Sequence, residues 1–281
     1  MLFTGLALFA FAANSVLCRL ALGSGVIDAA SFTVIRLLSG VITLLVIILI
    51  TDNKTGSNTS KGSWLASFML FLYATAFSFA YITLDTATGA LILFGSVQIT
   101  MVLLSLISGN RLHISEWVGI FIAFAGFVYF MLPEITTPSV SGFLLMTLAG
   151  SAWGIYTLKG RGSHIPLIDT GYNFFRAMPM VFILFIVTFS KASYSLEGVV
   201  LAVLSGSIAS GIGYTVWYLA LRGLSATQAA VVQLLVPVIA ALGGIIFIAE
   251  TVTLRLFVSA LIILGGIFLV ILGKYHFSSK Y

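Results

Sequence analysis

The stretch Val41-Ile42-Thr43-Leu44-Leu45-Val46-Ile47-Ile48-Leu49-Ile50 is apolar at every position but Thr43. A membrane β-strand would alternate apolar and polar residues over ~10 positions. This stretch does not alternate, so it reads as a helix with no water-facing side. Followed back to Ala29, it reaches the ~20 residues that a helix needs to cross a bilayer core. Nine more runs of similar character complete the chain: Leu2–Leu22, Trp64–Leu84, Thr88–Ser108, Ile114–Leu132, Val140–Leu158, Ile168–Ser190, Leu196–Leu221, Ser225–Ile248 and Leu254–Gly273. The expected fold class is an all-α polytopic membrane protein of ten transmembrane helices. The first run has no positive flank ahead of it, so it reads as a retained span and not as a cleaved leader.

Composition agrees. The 281 residues carry 13 Lys+Arg and 8 Asp+Glu, 60% are hydrophobic, and the mean hydropathy is +1.18. A soluble domain is about 25% charged, whereas this chain is 7% charged and could not cover a surface in water. A cytosolic enzyme, a nucleic-acid binder and a disordered protein are excluded on that ground. The basic excess, net +5 with a pI near 9.4, is scattered and forms no stripe for nucleic acid. It reads as orientation. With the N-terminus inside, Lys54, Lys61, Arg111, Lys159, Arg161, Arg222, Lys274 and Lys280 fall on the cytoplasmic side, against Arg19, Arg36, Lys191 and Arg255 opposite. Both termini are therefore expected in the cytoplasm, with the chain in the cell's inner membrane. The lone Cys18 reads as a packing residue.

The two halves of the chain echo each other. Asp28, Phe32 and Arg36 in the second run match Asp169, Tyr172 and Arg176 in the seventh. Thr88-Gly89-Ala90 resembles Ser225-Ala226-Thr227, and Gly109-Asn110-Arg111-Leu112 resembles Ala249-Glu250-Thr251-Val252. Five spans per half is odd, so the second copy enters the bilayer from the opposite side. The expectation is an inverted repeat, residues 1–132 and 140–273, followed by a cytoplasmic tail at 274–281. Such repeats place a substrate near the midplane between the halves.

Three stretches carry a resemblance to a known family: Thr88 to Gln98, Ala152-Trp153-Gly154-Ile155-Tyr156, and Leu224 to Pro237 with Glu250 following. The chain resembles the EamA-type transporters of the drug/metabolite transporter superfamily, in two copies of five spans. It looks most like the YddG-like bacterial exporters of aromatic amino acids. Val97 stands where the family often has the proline seen at Pro237, and Asn110 where it has the glutamate seen at Glu250. The resemblance implies a transporter and not an enzyme, needing no cofactor, with a small-molecule substrate and the lipid bilayer as partners. A monomer is the expected state.

Ionisable groups at bilayer depth are costly and mark function by default. Arg36 and Arg176 are the two that qualify, each about two turns inside its span. Either could grip a substrate carboxylate near the mouths of the path or snorkel to the headgroups. No Asp, Glu or His falls near a span centre, which disfavours proton coupling and metal binding and favours a neutral or zwitterionic solute. Asn14, Gln98 and Gln233 are candidate orienting amides; Tyr81, Trp153, Tyr156, Tyr214 and Trp217 are candidate aromatic walls. Packing between helices is the alternative for each. Gly206, Gly211 and Gly213, with Ser205, Ser207 and Ser210, form a small-residue face suited to close packing or to rocking. Pro179 and Pro237 are expected to kink their spans. The reading is an exporter of small metabolites, amino acids with aromatic or other apolar side chains foremost, working by alternating access. A drug or anionic-metabolite carrier and a membrane-embedded scramblase or enzyme are the alternatives.

Overall fold

Short polar stretches set where the helices begin. Asp28, Ser63, Ser139 and Ser195 each precede an apolar run, and each side chain accepts a hydrogen bond from a backbone N–H of the first turn that follows. Pro166 opens another helix, at a position where the missing N–H is not needed. A computed structural model describes residues 2–51, 62–107, 114–131, 139–161, 163–224, 229, 232–233, 235–251 and 253–277. Its helices are α1 (Leu2–Gly23), α2 (Ala29–Ile50), α3 (Trp64–Ala80), α4 (Thr86–Ile107), α5 (Ile114–Met131), α6 (Val140–Gly160), α7 (Pro166–Thr188), α8 (Leu196–Leu204), α9 (Gly213–Leu221), α10 (Val236–Ile248) and α11 (Leu254–Phe277). A π-helical segment, Ser205–Ile212, joins α8 to α9 in one continuous rod.

The described residues are nearly all helical and contain no strand beyond an isolated bridge between Ile27 and Tyr194. Six of the helical stretches are long and apolar enough to cross a membrane. Large apolar side chains point outward along them: Phe9 is 64% exposed, Leu49 78% and Ile183 61%. A bare apolar surface of this extent belongs in lipid. The chain is a polytopic membrane protein.

Three features depart from the sequence reading. The third helix stops at Ala80, and Tyr81 is its C-cap, not a residue within the span. The eighth run contains the π-helical segment, which apolar periodicity cannot reveal. Pro237 sits in the first turn of α10, where proline is tolerated, directly after a turn at Leu235, and so marks a helix start and not a helix interior; Pro179 does lie inside α7. The matched stretches Ser225–Thr227 and Gly109–Leu112, and Lys54, Lys61, Arg111 and Lys280 of the basic count, fall outside the described residues.

Hydrogen bonds between loops show how the helices alternate in direction. At one end of the bundle, the first face, Thr83 Oγ1 meets Ser139 Oγ at 2.6 Å and Arg19 meets Asp85 and Glu250. At this face also, Asp28 Oδ2 accepts from the Ser193 N–H at 2.9 Å, and the Asp28 N–H donates to Ser193 O at 2.8 Å. At the opposite end, the second face, Asp169 Oδ1 accepts from the Gly62 N–H at 2.9 Å, Asn173 Oδ1 accepts from the Ser63 N–H at 3.0 Å, and Arg222 donates to the His164 carbonyl. The Asp28 and Asp169 clasps match: the acid at the start of α2 holds the turn before α8, and the acid at the start of α7 holds the turn before α3. Burial pushes the Asp28 carboxyl up, but hydrogen bonds from Ser193, Ser31 and Ala30 outweigh it and hold the group below its ordinary value of 3.8. That clasp is therefore complete at neutral pH and weakens only as pH falls through the lowered value.

Helix packing is paired in the same sense. The contact of α1 with α10 has its counterpart in α6 with α4, that of α1 with the π-helical segment and α9 in α6 with α3, and that of α2 with α8 and the π-helical segment in α7 with α3. The pairs α2–α7, α4–α10 and α5–α11 are their own counterparts.

Gly62 has φ +65°, and a Cβ there would run into Asn173 Oδ1. Gly62→Ala is therefore expected to break the second-face clasp. The left-handed backbone alone costs about 1–2 kcal/mol. The expected result is a lower melting temperature in detergent with no loss of helical circular dichroism below it.

Candidate functional site

Helical spacing aims a set of rings and amides at one place. Phe11 and Asn14 are three apart on α1, Tyr73 and Phe77 four apart on α3, and Trp153 and Tyr156 three apart on α6. Tyr214, Trp217 and Tyr218 share a face of α9. Residues so spaced lie on one side of a helix, and all of these are buried. Trp153 is the hub: its ring lies 5.3 Å from Phe11, 5.0 Å from Tyr73, 5.4 Å from Tyr156 and 4.6 Å from Tyr214. Trp217 reaches the cluster through Phe11 at 5.5 Å. Rings at these separations fill the space between them, so the centre of the bundle is closed.

Polar groups bind this cluster to α1, α2 and the π-helical segment. Ser205 Oγ donates to Asn14 Oδ1 at 2.6 Å, and Asn14 Nδ2 donates to Tyr73 Oη at 3.3 Å. Tyr214 Oη donates to Tyr73 Oη at 3.3 Å. Arg36 Nε donates to Ser210 Oγ at 3.0 Å, and Nη2 to Tyr214 Oη at 2.7 Å and Tyr73 Oη at 3.4 Å. Ser205 and Ser210 are five residues apart. The π-helix repeats its hydrogen bonds at i→i+5, which brings both hydroxyls to the same side; an α-helical turn would splay them.

Arg36 is the electrostatic centre. It is 0% exposed, and its guanidinium lies 5.3 Å from the Tyr73 ring centroid and 5.1 Å from that of Phe77. Among the described residues no carboxylate pairs with it, and its Nη1 has no hydrogen-bond partner. Trp217 Nε1 is a second buried donor without one. Two ring faces and neutral hydroxyls soften the burial of this charge, but an anion is the partner that the geometry lacks.

The remaining sequence candidates divide. Gln233 joins the cluster: its Oε1 accepts from Trp153 Nε1 at 3.4 Å, and its Nε2 donates to Ala229 O at 3.0 Å. Gln98 is buried on α4 at 2% exposure. Tyr81 lies apart, its ring edge-on to Phe77 at 4.8 Å and its hydroxyl donating to Thr86 O. Arg176 also lies apart, half-buried over the rings of Trp64 and Tyr172 at 5.7 and 5.8 Å. Arg36 thus sits at the centre and not near a mouth, and its matched counterpart faces a different environment. Sequence reasoning missed Phe11, Tyr73, Phe77, Ser205 and Ser210 as site residues. Phe11 and Tyr73 carried a usable signal, an aromatic residue one helical turn from Asn14 and a hydroxyl-bearing ring in the middle of an apolar span. Among the described residues no three of His, Cys, Asp and Glu converge in a way that could hold a metal.

Each end of the bundle is closed differently. At the first face, Glu250 accepts from the Thr86 N–H at 2.9 Å, from Thr86 Oγ1 at 3.1 Å and from Arg19 Nε at 3.4 Å. Arg19 also holds Asp85 at 3.0 Å and the Tyr81 carbonyl at 3.2 Å. Glu250 thereby caps α4 and ties it to α1 and α10. Glu250→Ala is expected to lower the melting temperature, with a loss of about 1.5–3 kcal/mol for hydrogen bonds to a charged group. Glu250→Gln, which keeps one acceptor, should lose less. At the second face a cavity of about 220 Å³ is lined by Ser63, Ala66, Lys159, Asp169, Asn173 and Tyr218 among others.

Comparison with known proteins gives consistent results. The model of the EamA-like transporter family matches residues 140–272. A Pseudomonas aeruginosa protein described as uncharacterised is 45% identical over 96% of this chain and 94% of its own length. An uncharacterised transporter of Archaeoglobus fulgidus is 27% identical over 77% of this chain and 79% of its own. The uncharacterised transporter YoaV of Bacillus subtilis is 23% identical over 85% of each. A crystal structure superposes with a TM-score of 0.64 over 95% of this chain and 98% of that one; at 16% identity it shows a shared fold alone.

Proposed function

We propose, from the premise that this chain belongs to the EamA-like transporter family of the drug/metabolite transporter superfamily, that its solute is a small amphipathic carboxylate. Amino acids with aromatic or other apolar side chains are the foremost class. The single observation that carries this reading is Arg36: a fully buried guanidinium, open at Nη1, with no carboxylate partner among the described residues and aromatic rings on its flanks. A solute carboxylate would take the open Nη1 and compete with Tyr214 for Nη2. Its apolar body would part the rings of Phe11, Trp153 and Trp217, and Trp217 Nε1 offers a second donor.

The path works by alternating access between two inverted five-helix halves, residues 1–132 and 140–273, in the cell's inner membrane with both termini cytoplasmic. The paired helix contacts and the matched Asp28 and Asp169 clasps support the inverted arrangement. The ring-filled centre is the closed form of the path. Solute is released by loosening the ties of one face while the other holds. Export is the direction assigned to this carrier.

A second reading, a carrier of organic anions that lack an amine, is favoured by one observation. The cluster around Arg36 offers, among the described residues, no carboxylate to meet an ammonium group. Efflux from proteoliposomes separates the two. The first reading expects saturable efflux of phenylalanine, the second saturable efflux of phenylacetate with little of phenylalanine. No saturable flux of any solute in a broad panel of amino acids and carboxylates would refute both.

A further inference from the structure

The cavity at the second face lies at one end of a continuous ladder of rings. Tyr218 lines it and lies tilted against Tyr156 at 5.4 Å; Tyr156 stacks on Trp153 at 5.4 Å; Trp153 meets Tyr214 at 4.6 Å; and Tyr214 Oη accepts from Arg36 at 2.7 Å. The rings of Tyr218, Tyr156, Trp153 and Tyr214 therefore lie between this cavity and the buried guanidinium. Among the described residues that line it, the one cation is Lys159, which is exposed. Deeper in, Asp169 and Asn173 are occupied by Gly62, Ser63 and Ser163. Its volume, about 220 Å³, is below the ~300 Å³ at which pockets begin to enclose a whole ligand. It has room for one end of a small solute.

We infer that this cavity is a separate docking station for the carboxylate end of the solute, held by Lys159 before the Tyr218 and Tyr156 rings part to admit it to Arg36. The inference rests on the proposed carboxylate reading and adds to it a second site and an order of events. Lys159 acts as a mouth charge, setting the association rate more than the final affinity. The Tyr218 ring is seated tightly against Gly160, where a Cβ would strike it, so ring movement and the end of α6 are coupled.

The test uses native Lys159 as its own reporter. The rate of its acetylation by a water-soluble N-hydroxysuccinimide ester is followed by mass spectrometry, with exposed Lys191 at the opposite face as the internal control. Phenylacetate is the probe, and 2-phenylethanol, with the same ring and no charge, is the control. Calorimetry with phenylacetate is run in parallel on the intact protein. The expected result is that phenylacetate slows Lys159 acetylation at least about threefold, leaves Lys191 unchanged, and does so equally in the Arg36→Gln protein; phenylethanol does nothing. Protection lost in Arg36→Gln would overturn the inference, because protection would then report closure after central binding. Binding to the wild type without protection would overturn it also, leaving the carboxylate reading intact. No calorimetric binding of phenylacetate would overturn the inference, and none of phenylalanine either would remove the carboxylate reading with it. As a second check, Lys159→Gln should slow phenylacetate association in stopped-flow tryptophan fluorescence at least about threefold at low salt, while leaving the calorimetric Kd within about twofold. An unchanged association rate would count against the station.

Discussion

Arg36→Gln is expected to abolish tight binding of a small aromatic carboxylate at the centre of the bundle, leaving the weak docking at Lys159 and a folded protein. The side chain is wholly buried and its Nη1 has no partner, so its charge contributes little to the empty protein and much to an anion that reaches it. Truncating one partner of a buried, hydrogen-bonded charge pair costs about 2–5 kcal/mol, which is roughly 30-fold to several thousandfold in Kd. Stability should move far less. Removing an unpaired buried charge relieves its desolvation, offsetting the lost bonds to Ser210, Tyr214 and Tyr73. Arg36→Lys should fall between, keeping charge but losing the planar fork. Calorimetry and thermal unfolding, run side by side, check both halves of the expectation. A large fall in melting temperature with intact affinity would mean that Arg36 is structural.

Gly206→Ala has the next largest expected effect, and by a different route. A Cβ at Gly206 would enter the space held by the Arg36 carbonyl oxygen and Ser39 Oγ, and the facing Gly40 is closed off in turn by Phe174 and the Gly206 carbonyl. The obstacle is backbone, which cannot rotate away. The π-helical segment must therefore move off α2 and carry Ser205 and Ser210 with it. Overpacking of this kind typically costs 1–3 kcal/mol, and here it also displaces the residues that hold Asn14 and Arg36. The expected outcome is a lower melting temperature together with weakened carboxylate binding. The control is Gly5→Ala, where a Cβ would meet nothing within 4 Å; it should be silent in both assays. Equal behaviour of the two variants would show that the α2 contact is slack.

The helices were legible because their signal is coarse. A run such as Ala29–Ile50, bounded by Asp28 and a polar loop, has one low-energy solution in a bilayer, since every backbone group must be paired within the segment. The site was legible in part. Depth along the chain marks Asn14, Arg36 and Trp153 as unusual, but rotation about the helix axis decides what each one meets. Arg36 and Arg176 occupy matched positions, yet α3 brings Tyr73 and Phe77 to the first and its end ring Trp64 to the second. The π-helical segment was hidden because its sequence, SGSIASGI, suits an ordinary small-residue helix equally well. It is the neighbouring backbone of α2, seated on Gly206, that accompanies the wider turn. Tyr73 was missed for a related reason: of the two tyrosines in Trp64–Leu84 the sequence favours neither, and it is the rotation of α3 that turns Tyr73 to Asn14, Arg36 and Tyr214.

The central claim is that an anionic group of the solute meets Arg36 in the middle of the bundle. The measurement that tests it most directly is calorimetric titration of the purified wild-type protein with three ligands of one shape: phenylacetate, phenylalanine and phenethylamine. The expected result is tight binding of one or both carboxylates, reduced in Arg36→Gln to the weak docking at Lys159, and no binding of the amine. Binding of phenethylamine with affinity equal to that of the carboxylates, unaffected by Arg36→Gln, would contradict it.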